Sequence, residues 1–227
     1  MGDMSKSKDN PESPSSTFDA IAPAWYNFRH YTIFKTELEE LASRWQKGKL
    51  LNLGCGHGAD FLPFKEGFEM VGVDYSAGML KLADKFSKKH GFSARFIQAD
   101  MRRLPFGSDS FDFAVSVASL HHLKGHEDQM KALSELKRVL KPGAEAFVTV
   151  WNKCQPRFLM KSKEVIVPFK VGKEIVERYY YLFTFGELKH MARQTGFEVM
   201  KSFPESRYSC PMRSFSRNIC LLLKKTN

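Results

Sequence analysis

The feature that most constrains this chain is a repeated change of period: apolar runs of strand length alternate with stretches whose apolar residues recur at helical spacing. The runs are Lys49 to Leu53, Phe68 to Asp74, Ala94 to Gln98, Phe111 to Val117 and Ala146 to Trp151. Between them, Ser76 can cap a helix with Met79, Leu80, Ala83 and Phe86 on its inner face. A second helix spans about Glu127 to Leu140, with Met130, Leu133, Leu136 and Leu140 inward, and Lys141-Pro142-Gly143 stops it. Strands separated by helices pair in parallel, so the pattern predicts an α/β fold, a doubly wound, mostly parallel sheet with helices on both faces.

The flanks extend this plan. Phe34, Leu38, Leu41 and Trp45 predict a helix ending near Gly48, and Thr184-Phe185-Gly186-Glu187 fits a capping box. Phe197 to Phe203 and Ile219 to Leu223 read as late strands, an antiparallel pair at the sheet edge that brings the sheet to seven strands. From Asn152 to Arg178 the pattern blurs. We read one domain over residues 49–227 with an insertion at 152–183 on the acceptor side, an N-terminal helical segment at 17–48 and a polar, disordered tail at 1–16.

Composition bounds the partners. No run of about 18 apolar residues exists, the N-terminus lacks a signal-peptide core, and Lys6 stands where a myristoylation signal needs Ser or Thr, so a cytoplasmic protein without a membrane partner is expected. Cys55, Cys154, Cys210 and Cys220 form no CxxC pair, which argues against zinc and against a disulfide framework. The net charge is +10, and residues 151–227 hold 15 Lys and Arg against 6 Asp and Glu. That concentration suits a docking surface for a polyanion, or a solvated positive face.

The first strand breaks into Gly54-Cys55-Gly56-His57-Gly58, where glycine lets the backbone turn and approach a ligand closely. Gly54, Gly56 and Ala59, with Asp74 after the second strand, also satisfy a dinucleotide-binding pattern, so a dehydrogenase competes at this stage. The later residues decide. Asp100-Met101 follows the third strand, and Pro105-Phe106 precedes Ser110-Phe111-Asp112 at the fourth. Jointly these resemble the class I S-adenosylmethionine-dependent methyltransferases, over about Lys49 to Trp151. The resemblance implies a Rossmann-like fold and S-adenosylmethionine as cofactor. Its implied contacts are the glycine loop at Gly54, Gly56 and Gly58, Asp74 and Tyr75 at the ribose, Asp100 and Met101 at the adenine, and Ala118 after the fourth strand. Asn52 stands where the family often has an acid and can accept a hydrogen bond through its amide oxygen. His57 is expected to meet solvent or cofactor.

Further segments bear on the acceptor. Phe18-Asp19-x-Ile21-Ala22-x-x-Trp25 with Arg29, Ala118-Ser119-Leu120-His121-His122, Arg178 to Phe183, and Ser216-Arg217-Asn218 together resemble the tRNA wobble-uridine carboxymethyl methyltransferases. Tyr181 replaces that family's His, and the K-P-W-P expected after Arg29 is missing. The resemblance implies a tRNA anticodon loop as partner and a small zinc-binding activator protein covering a strand edge, with Phe111 to Val117 a candidate contact or, equally, a central core strand. Arg29, Arg178 and Arg217 would hold a carboxylate or phosphate, Tyr179 and Tyr180 would stack on an extruded base unless Tyr179 to Phe183 is a packed aromatic turn, and His121 would line the pocket. A small-molecule methyltransferase acting on a quinone, lipid or carboxylic acid is the alternative, favoured if the insertion is apolar. An inactive cofactor-binding module is a third reading.

Overall fold

Helical spacing and strand alternation resolve into nine strands and five α-helices in the computed structural model, which describes residues 14–208 and 212–226. Cys210 and the tail before Pro14 lie outside the described residues. In order the elements are α1 (Pro14–Phe28), α2 (Lys35–Trp45), β1 (Gly48–Leu53), β2 (Phe68–Asp74), α3 (Ala77–His90), β3 (Ala94–Gln98), β4 (Phe111–Val117), α4 (His126–Val139), β5 (Leu140–Trp151), β6 (Glu164–Val171), β7 (Glu174–Tyr181), α5 (Phe185–Gln194), β8 (Phe197–Pro204) and β9 (Asn218–Lys225). Helix α1 therefore already includes the last three residues of the stretch read as tail.

Seven strands form one sheet in the order β3-β2-β1-β4-β5-β9-β8. The first five pair in parallel, and β9 runs antiparallel to both β5 and β8. The order reverses between β1 and β4, which opens a crevice at the carboxyl ends of the strands where ligands bind in such sheets.

Both faces of the sheet are covered. One face buries Leu51, Leu53, Val71, Ala114 and Val148 under α4 and α5, through Leu133, Leu136, Leu188 and Met191. The other buries Leu50, Met70, Val115 and Phe147 with Phe34, Leu38, Leu41 and Trp45 from α2 and its approach, and with Phe86 of α3. Helix α2 thus shares the sheet's core. Helix α1 packs Ile21 and Ala22 on Met79 of α3, and the Asp19 carboxylate accepts from Gly78 N at 2.7 Å and from the Ser76 hydroxyl, pinning α1 to the start of α3.

Three expectations change. Lys141-Pro142-Gly143 does not separate α4 from the next strand: β5 already starts at Leu140, and the pairing register with β4 shifts between Phe111 and Phe113 as a bulge absorbs the extra residues. Phe111 to Val117 is a central strand hydrogen-bonded on both sides, so it offers no edge to a partner; the free edges are β3 and β8. The blurred insertion contains a hairpin, β6 with β7, joined through Gly172-Lys173 and buried on its own small core of Trp151, Phe158, Val165, Val167, Tyr180 and Leu182.

Candidate active site

The crevice at the sheet reversal is a cavity of about 380 Å³, within the range of small-molecule sites. Its floor is the loop after β1. Gly54 and Gly56 have φ of +73° and +52°, values L side chains rarely adopt. A Cβ on Gly54 would lie 2.3 Å from the Ser119 hydroxyl, while one on Gly56 would meet nothing within 4 Å, so the main chain at Gly56 is bare to the cavity. Asp74 at the end of β2 fixes that loop: one carboxylate oxygen accepts from Gly56 N at 2.8 Å, the other from Ser76 N at 2.9 Å. Burial raises its pKa above the usual carboxylate value, and the amide donors from Ser76 and Gly56 oppose that.

Asp100 stands beyond β3 with Met101 beside it. Burial pushes its pKa up, but Arg102, bonded to both carboxylate oxygens through Nε at 3.0 Å and through Nη2 at 2.6 Å, outweighs this and holds it below the ordinary value. Arg102 also bonds Asp128 at the start of α4. Tyr75 and Ala118 complete this end of the cavity; Ala118 has φ +53° where β4 hands over to the loop.

The opposite wall is cationic and aromatic. Arg29, Arg157, Arg178 and Arg217 all line the cavity, and among the described residues none of them has an ion-pair partner. They are held instead against rings: Arg29 lies 5.1 Å from the Trp25 centroid, and Arg217 lies 5.6 Å from that of Trp151. Arg178 lies 4.9 Å from Phe169, 5.3 Å from Tyr180 and 5.5 Å from Trp25. Burial lowers the pKa of both Arg29 and Arg178. Repulsion adds to it, from Arg217 and Arg178 on Arg29 and from Arg157 on Arg178; Asp60 opposes it at Arg29.

Two histidines lie at the back. His121 Nδ1 accepts from Trp151 N at 3.1 Å, which leaves the neutral ring its proton on Nε2. His122 Nδ1 lies 2.9 Å from the Tyr179 carbonyl, to which it donates, so the neutral ring keeps a lone pair on Nε2. Burial drives the pKa of His121 far down and that of His122 to about 4, so both rings are neutral at pH 7.

The structure brings together Gly54, Gly56, Asp74, Tyr75, Asp100, Met101, Ala118, Arg29, His121, Arg178 and Arg217 around one cavity. It leaves three others out. Asn52 alternates along β1 onto the sheet face of Leu50; it is fully buried, and neither amide atom has a hydrogen-bond partner. Gly58, at φ +88°, turns the chain toward Phe61 and Ala83. Tyr179 falls outside the lining because period 2 along β7 gives Arg178 and Tyr180 one face and Tyr179 the other. Tyr180 lines the cavity but cannot stack on a base: Trp151 lies 4.1 Å from it at 15°, and His121 lies 5.0 Å away at 31°. His57 lines the cavity from a buried position rather than facing solvent, edge-on to Tyr26 and Phe86, with its pKa lowered by burial to about 4. Sequence reasoning missed Arg157, Phe28 and Phe169.

Comparison with known proteins bears on this arrangement. The family model described as a methyltransferase domain matches residues 51–148. The chain is 30% identical over 218 residues to the 2-phytyl-1,4-naphtoquinone methyltransferase of Nostoc punctiforme, covering 83% of this chain and 91% of that one. It is 31% identical over 154 residues to the tRNA (carboxymethyluridine(34)-5-O)-methyltransferase of Arabidopsis thaliana, covering 65% of this chain but only 36% of that longer protein. Its fold matches the crystal structure of the Burkholderia thailandensis 1,6-didemethyltoxoflavin-N1-methyltransferase, solved with 1,6-didemethyltoxoflavin and S-adenosylhomocysteine bound, with a TM-score of 0.68 at 17% identity over 96% of this chain and 93% of that one.

Proposed function

The chain belongs to the class I S-adenosylmethionine-dependent methyltransferases, and from that premise we propose that it esterifies the carboxymethyl group of a tRNA wobble uridine. The observation that carries this reading is the group of four arginines at one cavity with no ion pair among the described residues, the Asp60 carboxylate on the same lining acting on Arg29 only at longer range. Arg178 is buried and Arg29 half-buried while Arg157 and Arg217 are exposed at the cavity, so the inner pair, repelled by its neighbours, is relieved by an anion, and planar guanidinium matches a carboxylate or phosphate bidentately. The likeness to the Arabidopsis tRNA enzyme supports the same acceptor.

The residues present fit the cofactor. The bare main chain at Gly56 lets a methionine portion lie close, the Asp74 carboxylate can accept from ribose hydroxyls, and Asp100 with Met101 would hold the adenine. When bound, S-adenosylmethionine supplies an electrophilic methyl on a sulfonium sulfur. An acceptor carboxylate is already ionised at pH 7, so its oxygen can form the new O–C bond without losing a proton, and no general base is required. Arg29, Arg178 and Arg217 would orient that carboxylate, while Trp25, Phe169 and Trp151 exclude water around it. His121 offers its Nε2–H as a neutral donor.

A second reading has its own support. The Nostoc quinone enzyme matches along 91% of its length, and the insertion contributes Val167, Pro168 and Phe169 to the cavity, so a small aromatic acceptor also suits it. The test is incubation with methyl-labelled S-adenosylmethionine and tRNA from cells lacking the endogenous enzyme, with and without a small zinc-binding activator protein. We expect base-labile label in the RNA. Label in a quinone or lipid extract, with none in RNA in either arm, would overturn the tRNA reading.

A further inference from the structure

We infer that Phe28, at the end of α1, and Phe169, on the inner face of the β6–β7 hairpin, form the slot that receives the flat base of the acceptor, with Trp25 behind them and Arg178 and Arg29 beneath. The inference rests on the acceptor reading above and assigns it a recognition element. A base brought to this cavity needs an aromatic face to lie on, and the tyrosines of β7 do not supply one: Tyr180 is 2% exposed with Trp151 stacked on it, and Tyr179 faces away. Phe28 is 74% exposed yet borders the cavity, an apolar ring at its rim with most of its surface open. Its centroid lies 6.3 Å from Phe169 at 80° and 6.4 Å from Trp25 at 48°, and Trp25 lies 5.7 Å from Phe169.

These rings converge where the cations are. Arg178 sits over both Phe169 and Trp25, and Arg29 over Trp25, so a ring entering along Phe28 meets guanidinium groups at the depth of its own substituents. A planar heterocycle with an anionic arm satisfies both features at once: the ring covers Phe28, and the arm neutralises the arginines. The α1 and hairpin contributions are joined by Phe18, Trp25, Phe169, Val171 and Val176 packing in one cluster, so the base lies along one continuous aromatic surface built from distant parts of the sequence.

The test measures binding of the free nucleoside 5-carboxymethyluridine by calorimetry, on the full chain saturated with S-adenosylhomocysteine, beside methyl transfer to tRNA. Phe28→Ala should weaken nucleoside binding about tenfold (~1.4 kcal/mol), toward the lower end of base–aromatic stacking. Affinity for S-adenosylhomocysteine should hold within twofold, and Phe28→Trp should keep nucleoside binding near wild type. Nucleoside affinity within twofold of wild type in Phe28→Ala, or no nucleoside binding by an enzyme that methylates tRNA, overturns the slot and leaves the tRNA reading standing. Nucleoside binding that responds to Phe28 in a protein that labels no tRNA supports the slot and sinks the tRNA acceptor. Failure of the wild type in both assays sinks the two together.

Discussion

Arg178 shows what this cavity demands of single side chains. It is 7% exposed, its Nε has no hydrogen-bond partner, and three rings surround its guanidinium. A buried cation without a counter-ion costs several kcal/mol and its unpaired Nε about 1–3 kcal/mol more, while the three cation–π contacts return about 0.5–2 kcal/mol each. Arg178→Met should therefore raise the melting temperature, by about 2–4 °C for each ~1 kcal/mol recovered, while raising the acceptor KM; a melting temperature several degrees lower would refute the cost assigned to this cation. His122 makes the matching case for pH. Burial, aided by Arg178 and opposed by the Tyr179 carbonyl, holds it neutral to about pH 4, whereas in the unfolded chain it takes a proton near 6.5. Between those values the unfolded state binds more protons, so the stability tied to this ring is full above pH 6.5 and falls as the pH drops toward 4. The loss of melting temperature between pH 7 and pH 5 should be smaller in His122→Asn than in wild type, by at most ~2 kcal/mol in stability. Equal losses would remove His122 from the account. The positions of Asp74, Asp100, Gly54 and Gly56 at the cavity were legible because they follow from where strands end. Asn52, Gly58 and Tyr179 were not, because a motif gives a position in the chain and not the direction of a side chain.

Elements were legible in proportion to how locally their signals act. The start of α5 could be read outright: the Thr184 hydroxyl accepts from Glu187 N at 3.2 Å, and the Glu187 carboxylate accepts from Thr184 N at 3.4 Å and from the Tyr181 hydroxyl. Thr184→Ala should cost about 1 kcal/mol, seen as a melting temperature about 2–4 °C lower, with cofactor affinity unchanged by calorimetry. A loss of cofactor affinity would mean that this cap also shapes the site. The β6–β7 hairpin escaped because apolar residues sit on both of its faces. Val165 and Val167 point inward while Ile166 and Ile175 are exposed, so no clean period of 2 emerges. The signal that could have found it is the two-residue Gly172-Lys173 turn between paired strands, with Gly172 at φ +60°. The bulge at the start of β5 was hidden for the opposite reason, since Pro-Gly reads as a stop wherever it occurs.

At the scale of the whole molecule the doubly wound topology was readable, since five parallel strands with crossover helices admit few arrangements, and the reversal between β1 and β4 then fixes where the cavity must open. The charge asymmetry was readable too, but its geometry was not: only part of the surplus of residues 151–227 is near the site, as arginines lining the cavity and lysines on and beside the hairpin. Lys161, Lys170 and Lys173 are exposed on and beside the hairpin and make no ion pair among the described residues, so they can follow a phosphate backbone whose reactive base lies in the cavity. Each contact to single-stranded phosphate contributes a slope of about −0.7 to the logarithm of affinity against that of salt. With three such contacts, raising salt from about 50 to 200 mM should weaken tRNA binding about 20-fold. Lys170→Gln with Lys173→Gln should flatten the slope by about 1.4, without changing the affinity for S-adenosylhomocysteine. A small aromatic acceptor makes no such contacts, so its KM should move little over the same range. Filter-binding titrations with tRNA that stay level across this salt range would turn the basic third of the chain into a solvated face and return the acceptor to the small-molecule class.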